Sequence, residues 1–283
     1  MQHILITGGN AGIGKATAIA LAKKGAKIII ASRNDAKAAA AVAEIKAAAK
    51  NEEIYSLNCD LASFDSVRNC AQNYRKQFGQ LDILINNAGL VTDKLQFTQD
   101  GFELQIGVNH LGHFLLTTQL IDLLEKAEEP RVINVSSKAH YNGKINFNTF
   151  KGEVGVKKYK GMLAYAQSKL ANILFTKELI RRYPSICSHS LHPGVVGTEI
   201  AQKNDNKTLW KVVWKVFSPV MLSPTKGAKT SVYLASSPEA LKTNGKYFDK
   251  QKEVAPAEIA NDAALAEELW EVSKELVQTT VNS

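Results

Sequence analysis

The sequence predicts one α/β domain built on a doubly wound parallel sheet with helices on both faces. Three observations predict it. Short runs rich in β-branched residues alternate with longer helical stretches, the runs are apolar at consecutive positions, and no linker, repeat or low-complexity tract divides the 283 residues. Consecutive apolar positions are what strands covered on both faces require. A repeating β-α order requires right-handed crossovers and therefore three layers, α/β/α, with ligands gathering at the carboxyl ends of the strands.

Taken in order, the first strand is residues 3–7, followed by a glycine-rich turn and a helix over 13–24. A strand at 27–31 leads to the alanine-rich helix 35–50, whose composition is a strong helix former and whose charges place it at the surface. Strands at 53–57, 82–86, 131–135 and 186–191 then alternate with helices at 63–78, 98–126 and 162–183. Two stretches depart from the alternation. One is a loop rich in Gly, Lys and Asn over 141–161, and the other is 194–219, before a helix near Thr225. Both follow the carboxyl end of a strand, where they can cover a ligand.

With 45% hydrophobic and 22% charged residues the chain can bury one substantial core. Lys+Arg number 35 against 27 Asp+Glu, a formal net charge of +8, but the basic residues are scattered. They are dense only near Lys157, Lys158 and Lys160 and again at Lys207, Lys211 and Lys215. That distribution suits a phosphate-bearing small molecule and argues against nucleic acid, which needs a concentrated basic stripe. Cys59, Cys70 and Cys187 are odd in number and lack CxxC spacing, so no disulfide framework or zinc site is expected and a reducing compartment is. Residues 1–8 run straight into a strand and a turn, with no charged n-region or cleavage site. No stretch approaches the roughly 20 apolar residues that span a bilayer. The expected location is cytoplasmic.

Directly after the first strand stand Thr7-Gly8-Gly9-Asn10-Ala11-Gly12-Ile13-Gly14, and directly after those a helix. Glycines serve a tight turn, close backbone approach to a pyrophosphate, and helix–strand packing. The free N–H groups and positive dipole end of the helix favour phosphate charge. In this position the motif reads as a dinucleotide site of Rossmann type, held by Gly8, Asn10, Ala11, Gly12, Ile13 and Gly14. The end of the second strand, where an acidic residue would bind the ribose hydroxyls of NAD, carries Ser32, Arg33 and Asn34 instead. A guanidinium there can grip a ribose 2′-phosphate in two-pronged fashion, so NADP(H) is expected in preference to NAD(H). Asp35 is read as the start of the next helix.

Tyr165 and Lys169 lie four apart on the helix 162–183, on one face and about 6 Å apart along the axis. A phenol of ordinary pKa near 10 is a poor base, and an ammonium nearby together with an oxidised nicotinamide would lower that value. The pair acquires meaning from its company: Thr7 to Gly14, Asp60-Leu61, Asn86-Asn87-Ala88-Gly89, Asn109-His110-Leu111-Gly112, Val135-Ser136-Ser137, Tyr165 to Lys169 and His192-Pro193-Gly194, in this order. Together these closely resemble the short-chain dehydrogenase/reductase family, over about residues 3–198. The strings Ser136-Ser137-Lys138-Ala139-His140, Asn109 to Phe114 and Ser168 to Thr176 resemble its retinol dehydrogenase-like branch.

The resemblance implies a catalytic set of Tyr165 as general acid/base, Lys169 on the nicotinamide ribose, Ser137 on the substrate oxygen and Asn109 anchoring a relay water. It further implies Asp60 and Leu61 beside the adenine, Asn87, Ala88 and Gly89 along the adenosine side, and Pro193, Gly194, Val196 and Thr198 on the carboxamide and phosphates. The implied activity is interconversion of an alcohol and a carbonyl with NADP(H), on a hydrophobic aldehyde, ketone, retinoid or steroid. Reduction of a C=C bond, epimerisation on the same scaffold, and a regulator that binds dinucleotide without turnover are the alternatives. The last is disfavoured because the whole catalytic set is present.

His110 and His113 share a helix face, but no third ligand stands at metal spacing and both are read as structural. His192 is read as shaping the turn at Pro193, and Cys59 as a small buried residue. Residues 207–217 place Lys207, Lys211 and Lys215 on one side and Leu209, Trp210, Val213, Trp214 and Phe217 on the other. The reading is a substrate lid within 199–224, with a peripheral membrane contact or a homo-oligomer contact as the other roles such a segment can serve.

Overall fold

Ile4, Leu5 and Ile6 have no exposed surface, because the strand they form is covered on both faces and alternate side chains enter different layers. In the computed structural model, which describes residues 1–153, 155, 158–194 and 223–279, this pattern repeats along the sheet. The strands are β1 (His3–Thr7), β2 (Lys27–Ser32), β3 (Ile54–Asn58), β4 (Ile83–Asn86), β5 (Arg131–Val135), β6 (Cys187–His192), β7 (Tyr247–Asp249) and β8 (Lys252–Val254). They form one sheet in the order β3-β2-β1-β4-β5-β6-β7-β8. All neighbours are parallel except the last pair. The order reverses between β1 and β4, which opens the crevice where ligands bind in such sheets.

Helices α1 (Gly12–Ala22), α2 (Asp35–Ala49) and α7 (Pro224–Ser236) lie on one face. There Ala18, Leu21 and Leu234 pack with Ile4, Ile6, Ile28, Ile30, Ile83 and Ile85. The other face carries α3 (Phe64–Phe78), α5 (Gly112–Leu124), α6 (Gly161–Arg182) and α8 (Ala263–Thr279). Leu5, Ile29 and Leu84 meet Phe64, Leu116, Phe175 and Trp270 there. The doubly wound expectation is thus met.

Three differences from the sequence reading have local causes. The helix expected from residue 98 begins at Leu104, as α4 (Leu104–Ile106). Gly101 has φ 81°, Phe97 bridges Glu103 in antiparallel fashion, and the Glu103 side chain accepts the N–H groups of Gln105 and Ile106 as a cap. Between α4 and α5 the backbone widens into a π-helical turn, Gly107–Leu111, where the Gly112 N–H donates to the Gly107 carbonyl. Finally, β7, β8 and α8 complete the sheet edge and one helical layer beyond the elements the sequence announced.

Trp270 ties α8 to the rest. It is 5% exposed, stacks on Phe175 at 5.6 Å between ring centroids and meets Phe114 edge-on at 5.0 Å, while the Arg182 guanidinium lies 5.0 Å above its ring. Trp270→Ala should therefore destabilise the protein by about 3–5 kcal/mol, as removal of a buried large aromatic does. Chemical denaturation measures this; a loss under about 1 kcal/mol would mean that α8 does not depend on this cluster.

Candidate active site

The phosphate turn takes its shape from backbone constraints. Gly8 and Gly12 hold left-handed φ values of 65° and 54°, and a Cβ on Gly14 would stand 2.3 Å from the Gly8 carbonyl oxygen. Only glycine fits such approaches. Helix α1 starts from an Ala11 N-cap that offers no side-chain bond, which leaves its first N–H groups uncapped by a side chain, as an anion-binding helix end requires. Asn10, Ala11 and Ile13 fill the turn as expected, with Ile13 buried.

The flanking segments close on this turn. Thr7 Oγ1 accepts the N–H groups of Asn87 at 2.9 Å and Ala88 at 3.0 Å, and Asn87 Nδ2 donates to the Thr7 carbonyl at 2.8 Å. At the end of β2 the Ser32 hydroxyl is buried with no hydrogen-bond partner among the described residues, and Arg33 beside it is exposed. Asn34 is engaged elsewhere, since its Oδ1 caps α2 by accepting the Lys37 N–H at 2.9 Å. Asp35 opens that helix, as read from the sequence. Asp60 Oδ1 accepts the Ala62 N–H at 3.0 Å, and Leu61 is buried just beyond the end of β3. An open helix N-terminus, a glycine cradle and a buried unpaired hydroxyl fit a dinucleotide.

Helix α6 and the π-helical turn bring the four expected catalytic residues together. Asn109 is fully buried. Its Nδ2 donates to Ser168 Oγ at 2.9 Å and to the Leu90 carbonyl at 3.0 Å, while its Oδ1 accepts the Leu90 N–H at 2.8 Å. A Cβ on Gly89 would lie 3.2 Å from both Asn109 Oδ1 and Lys169 Nζ, so these groups face each other across Gly89. Lys169 Nζ donates to the Val135 carbonyl at 2.9 Å and lies 5.7 Å from the Tyr165 ring centre. Ser137, the second serine of its pair, hydrogen-bonds the Tyr165 phenol, whereas Ser136 points away and donates to the Lys169 carbonyl at 2.7 Å.

Several supports were not assigned from the sequence. His140 sets the Ser137 backbone: its Nδ1 faces the Ser137 carbonyl at 2.7 Å and therefore donates, and its Nε2 accepts the Ala257 N–H at 3.1 Å. Thr7, Leu90 and Ser168 each hold a site segment, yet as single residues they carry no spacing signal. His192 does shape the turn as expected, with Nδ1 accepting the Gly194 N–H at 2.9 Å and Nε2 facing Asp249 at 3.1 Å. His110 is structural, set 2.9 Å from Ser273 Oγ through Nε2, and Cys59 is a buried free thiol. Pro193 and Gly194 stand at the end of β6. Val196, Thr198 and the expected lid at 207–217 lie outside the described residues. Among the described residues no helix is long and apolar enough to cross a membrane, and no His/Cys/Asp/Glu group is placed to hold a metal.

Burial dominates the electrostatics of the site's own groups. Burial pushes the Tyr165 phenol above its ordinary value, with the Ser137 hydroxyl pulling the other way. Burial also lowers Lys169, from 10.5 to about 8. Desolvation penalises the charged form of each, and among the described residues no acid pairs with Lys169 to offset it. The folded state therefore destabilises a protonated Lys169 fully below pH 8, and the penalty fades as pH rises from 8 towards 10.5. Lys169→Met, of similar length, should raise stability by about 1–3 kcal/mol at neutral pH. The Val135 carbonyl keeps a donor in Asn172 Nδ2 at 3.2 Å. The gain should shrink at pH 10; a variant less stable than the parent at pH 7 would contradict an unpaired buried charge.

The comparisons agree with this geometry. Residues 2–209 match the family described as short chain dehydrogenase. Retinol dehydrogenase 12 of Mus musculus is 42% identical over 276 residues, covering 97% of this chain and 85% of its own. Retinol dehydrogenase 13 of Homo sapiens is 42% identical over 285 residues, covering 98% and 84%. Among solved structures, an uncharacterised protein from Mycobacterium paratuberculosis superposes with a TM-score of 0.78 at 32% identity, covering 98% of this chain and 94% of that one. A 3-ketoacyl-(acyl-carrier-protein) reductase from Brucella melitensis, complexed with NADH, gives 0.67 at 26% identity over 88% and 96%. With its strand order, glycine turn and converging tyrosine and lysine, the chain belongs to the short-chain dehydrogenase family, as a retinol dehydrogenase-like oxidoreductase.

Proposed function

We propose that this oxidoreductase interconverts a hydrophobic alcohol and its carbonyl, prefers NADP(H) to NAD(H), and uses Tyr165 as its proton-transferring group. The observation that carries the reading is the convergence of Tyr165, Ser137, Lys169 and Asn109 beside Gly89, at the carboxyl ends of β4 and β5. A nicotinamide dinucleotide, when bound, supplies or takes the hydride. The chain's own groups handle the proton. Tyr165 Oη gives a proton to a carbonyl oxygen or takes one from an alcohol, Ser137 Oγ holds that oxygen, and the Lys169 ammonium favours the phenolate electrostatically. Asn109, locked on Leu90 and Ser168, anchors the water that renews the proton.

A hydrophobic substrate is supported by the surface before Tyr165. Met162, one turn ahead on the same helix face, is exposed, and with Val91 and Leu163 it lines a cavity of about 380 Å³. The retinol dehydrogenase names of the relatives support an apolar alcohol as well. Cofactor preference rests on Arg33, exposed at the end of β2, and on Ser32, which offers a hydroxyl where a carboxylate would repel a phosphate.

Tyr165→Phe should lower kcat about 10²- to 10⁴-fold while leaving dinucleotide affinity nearly unchanged, because only the phenolic proton is lost. Retention of more than about a tenth of the parent rate would remove Tyr165 from the chemistry. Because burial holds the phenol protonated at neutral pH, reduction should be fast there and oxidation should accelerate as pH rises; equal pH profiles for the two directions would contradict a single proton-exchanging phenol.

The bidentate Arg33 contact should favour NADPH over NADH about 10- to 100-fold, from roughly 1.5–3 kcal/mol of charge-assisted bonding. The double variant Ser32→Asp, Arg33→Ala should reverse the preference. Titration by nicotinamide fluorescence tests both, and equal affinity of the parent for the two dinucleotides would overturn the NADP(H) assignment.

A further inference from the structure

Next to the catalytic set lies a residue that touches none of the reacting groups yet connects two of their supports. His113, in the first turn of α5, is 2% exposed. Its Nδ1 stands 3.1 Å from the Asn109 carbonyl oxygen, and its Nε2 stands 2.8 Å from Thr7 Oγ1. A carbonyl oxygen only accepts, so Nδ1 carries the proton and donates. Burial holds the ring neutral, with its pKa lowered to about 4. Nε2 is therefore an acceptor, and the Thr7 hydroxyl donates to it. That choice leaves the Thr7 oxygen free to accept from Asn87 N–H and Ala88 N–H, the two bonds it makes. Every link has one consistent direction, from the Asn87 and Ala88 amides through Thr7 and His113 to the Asn109 backbone.

The location gives the link its meaning. Asn109 sits in the π-helical turn, where the regular backbone pattern is widened, a form that occurs mostly as single turns inside α-helices and often at functional sites. Its side chain is fixed to Leu90 and Ser168, and Ser168 Oγ donates to the Tyr165 carbonyl at 2.8 Å. The alternative acceptor for the Thr7 hydroxyl among the described residues is a distant one, the Ile85 carbonyl at 3.4 Å. We propose that His113 is a positioning residue: through its single neutral tautomer it fixes the Asn109 backbone relative to the phosphate turn and the segment Asn87 to Gly89, so that Asn109 and Lys169 keep their spacing across Gly89. This rests on the proposed function, in which Asn109 anchors the proton relay.

His113→Gln and His113→Leu test it together. The glutamine amide presents an acceptor to Thr7 and a donor to Asn109 on one planar group, whereas leucine keeps the bulk and loses both bonds. His113→Leu should lower kcat about 10- to 100-fold, as small misplacements of catalytic groups do, and raise the solvent deuterium isotope effect. KM for substrate and Kd for the dinucleotide should stay within about threefold, which separates positioning from a general loss of structure. His113→Gln should retain kcat within about threefold of the parent. Nitrogen-15 NMR of the parent should show His113 neutral at pH 7 with the proton on Nδ1. A charged ring or an Nε2–H tautomer would overturn the proposal, as would equal kcat and isotope effect for leucine and parent. Should the parent itself turn over no alcohol or carbonyl with either dinucleotide, the functional reading fails instead, and the NMR result still decides the hydrogen-bond assignment.

Discussion

A parallel sheet covered on both faces buries the polar groups near its strand ends, and most of those beside the ligand crevice are hydrogen-bonded within the protein, the Ser32 hydroxyl being an exception among the described residues. This constraint organises the site. Asn86, at the end of β4, donates through Nδ2 to Thr117 Oγ1 and to Asn134 Oδ1, and Asn134 passes the chain on to Thr176 Oγ1. Thr7 does the same between β1, α5 and the segment after β4. These bonds stitch adjacent strand ends to the helices above them. Networks of this kind polarise their members and specify a single arrangement when every link is made.

Against that background Lys169 is an exception, a buried cation with no acidic partner among the described residues. It buries an ammonium on a helix whose buried face mixes apolar residues such as Leu170, Ile173 and Leu174 with neutral hydrogen-bonding ones such as Ser168, Asn172 and Thr176. One carbonyl hydrogen bond does not replace the hydration it gives up. The same burial that lowers its pKa raises that of Tyr165, so the ammonium becomes the stronger acid of the two. The cost falls on folding.

Much of this was written in the chain. Consecutive apolar residues in β1, β2 and β4 announce strands buried on both sides, the Gly8 to Gly14 spacing announces an anion at a helix N-terminus, and the Tyr165–Lys169 interval needs only one helical turn to bring both groups to one face. These signals are local in sequence, and local geometry suffices to read them. Strand β6, read from the sequence at 186–191 and observed at Cys187–His192, owes its burial to more than its own residues. Cys187-Ser-His-Ser-Leu-His is mostly polar, yet Ser188, His189 and Ser190 are buried within the sheet. Its place is made by partners more than 50 positions away: Ser188 Oγ donates to the Val132 carbonyl, and His189 takes the Lys246 N–H at Nδ1 and faces the Ala240 carbonyl with Nε2.

Sequence by itself therefore determined the fold class and the glycine cradle, which follow from residue type and short spacing, and singled out Tyr165 and Lys169 through the family resemblance that the surrounding motifs carry. Tertiary structure alone decided which way the His113 ring is protonated and that burial raises the Tyr165 phenol. Those outcomes depend on burial and on hydrogen-bond partners supplied by distant segments, and desolvation is a property of the packed site that no single stretch of chain contains.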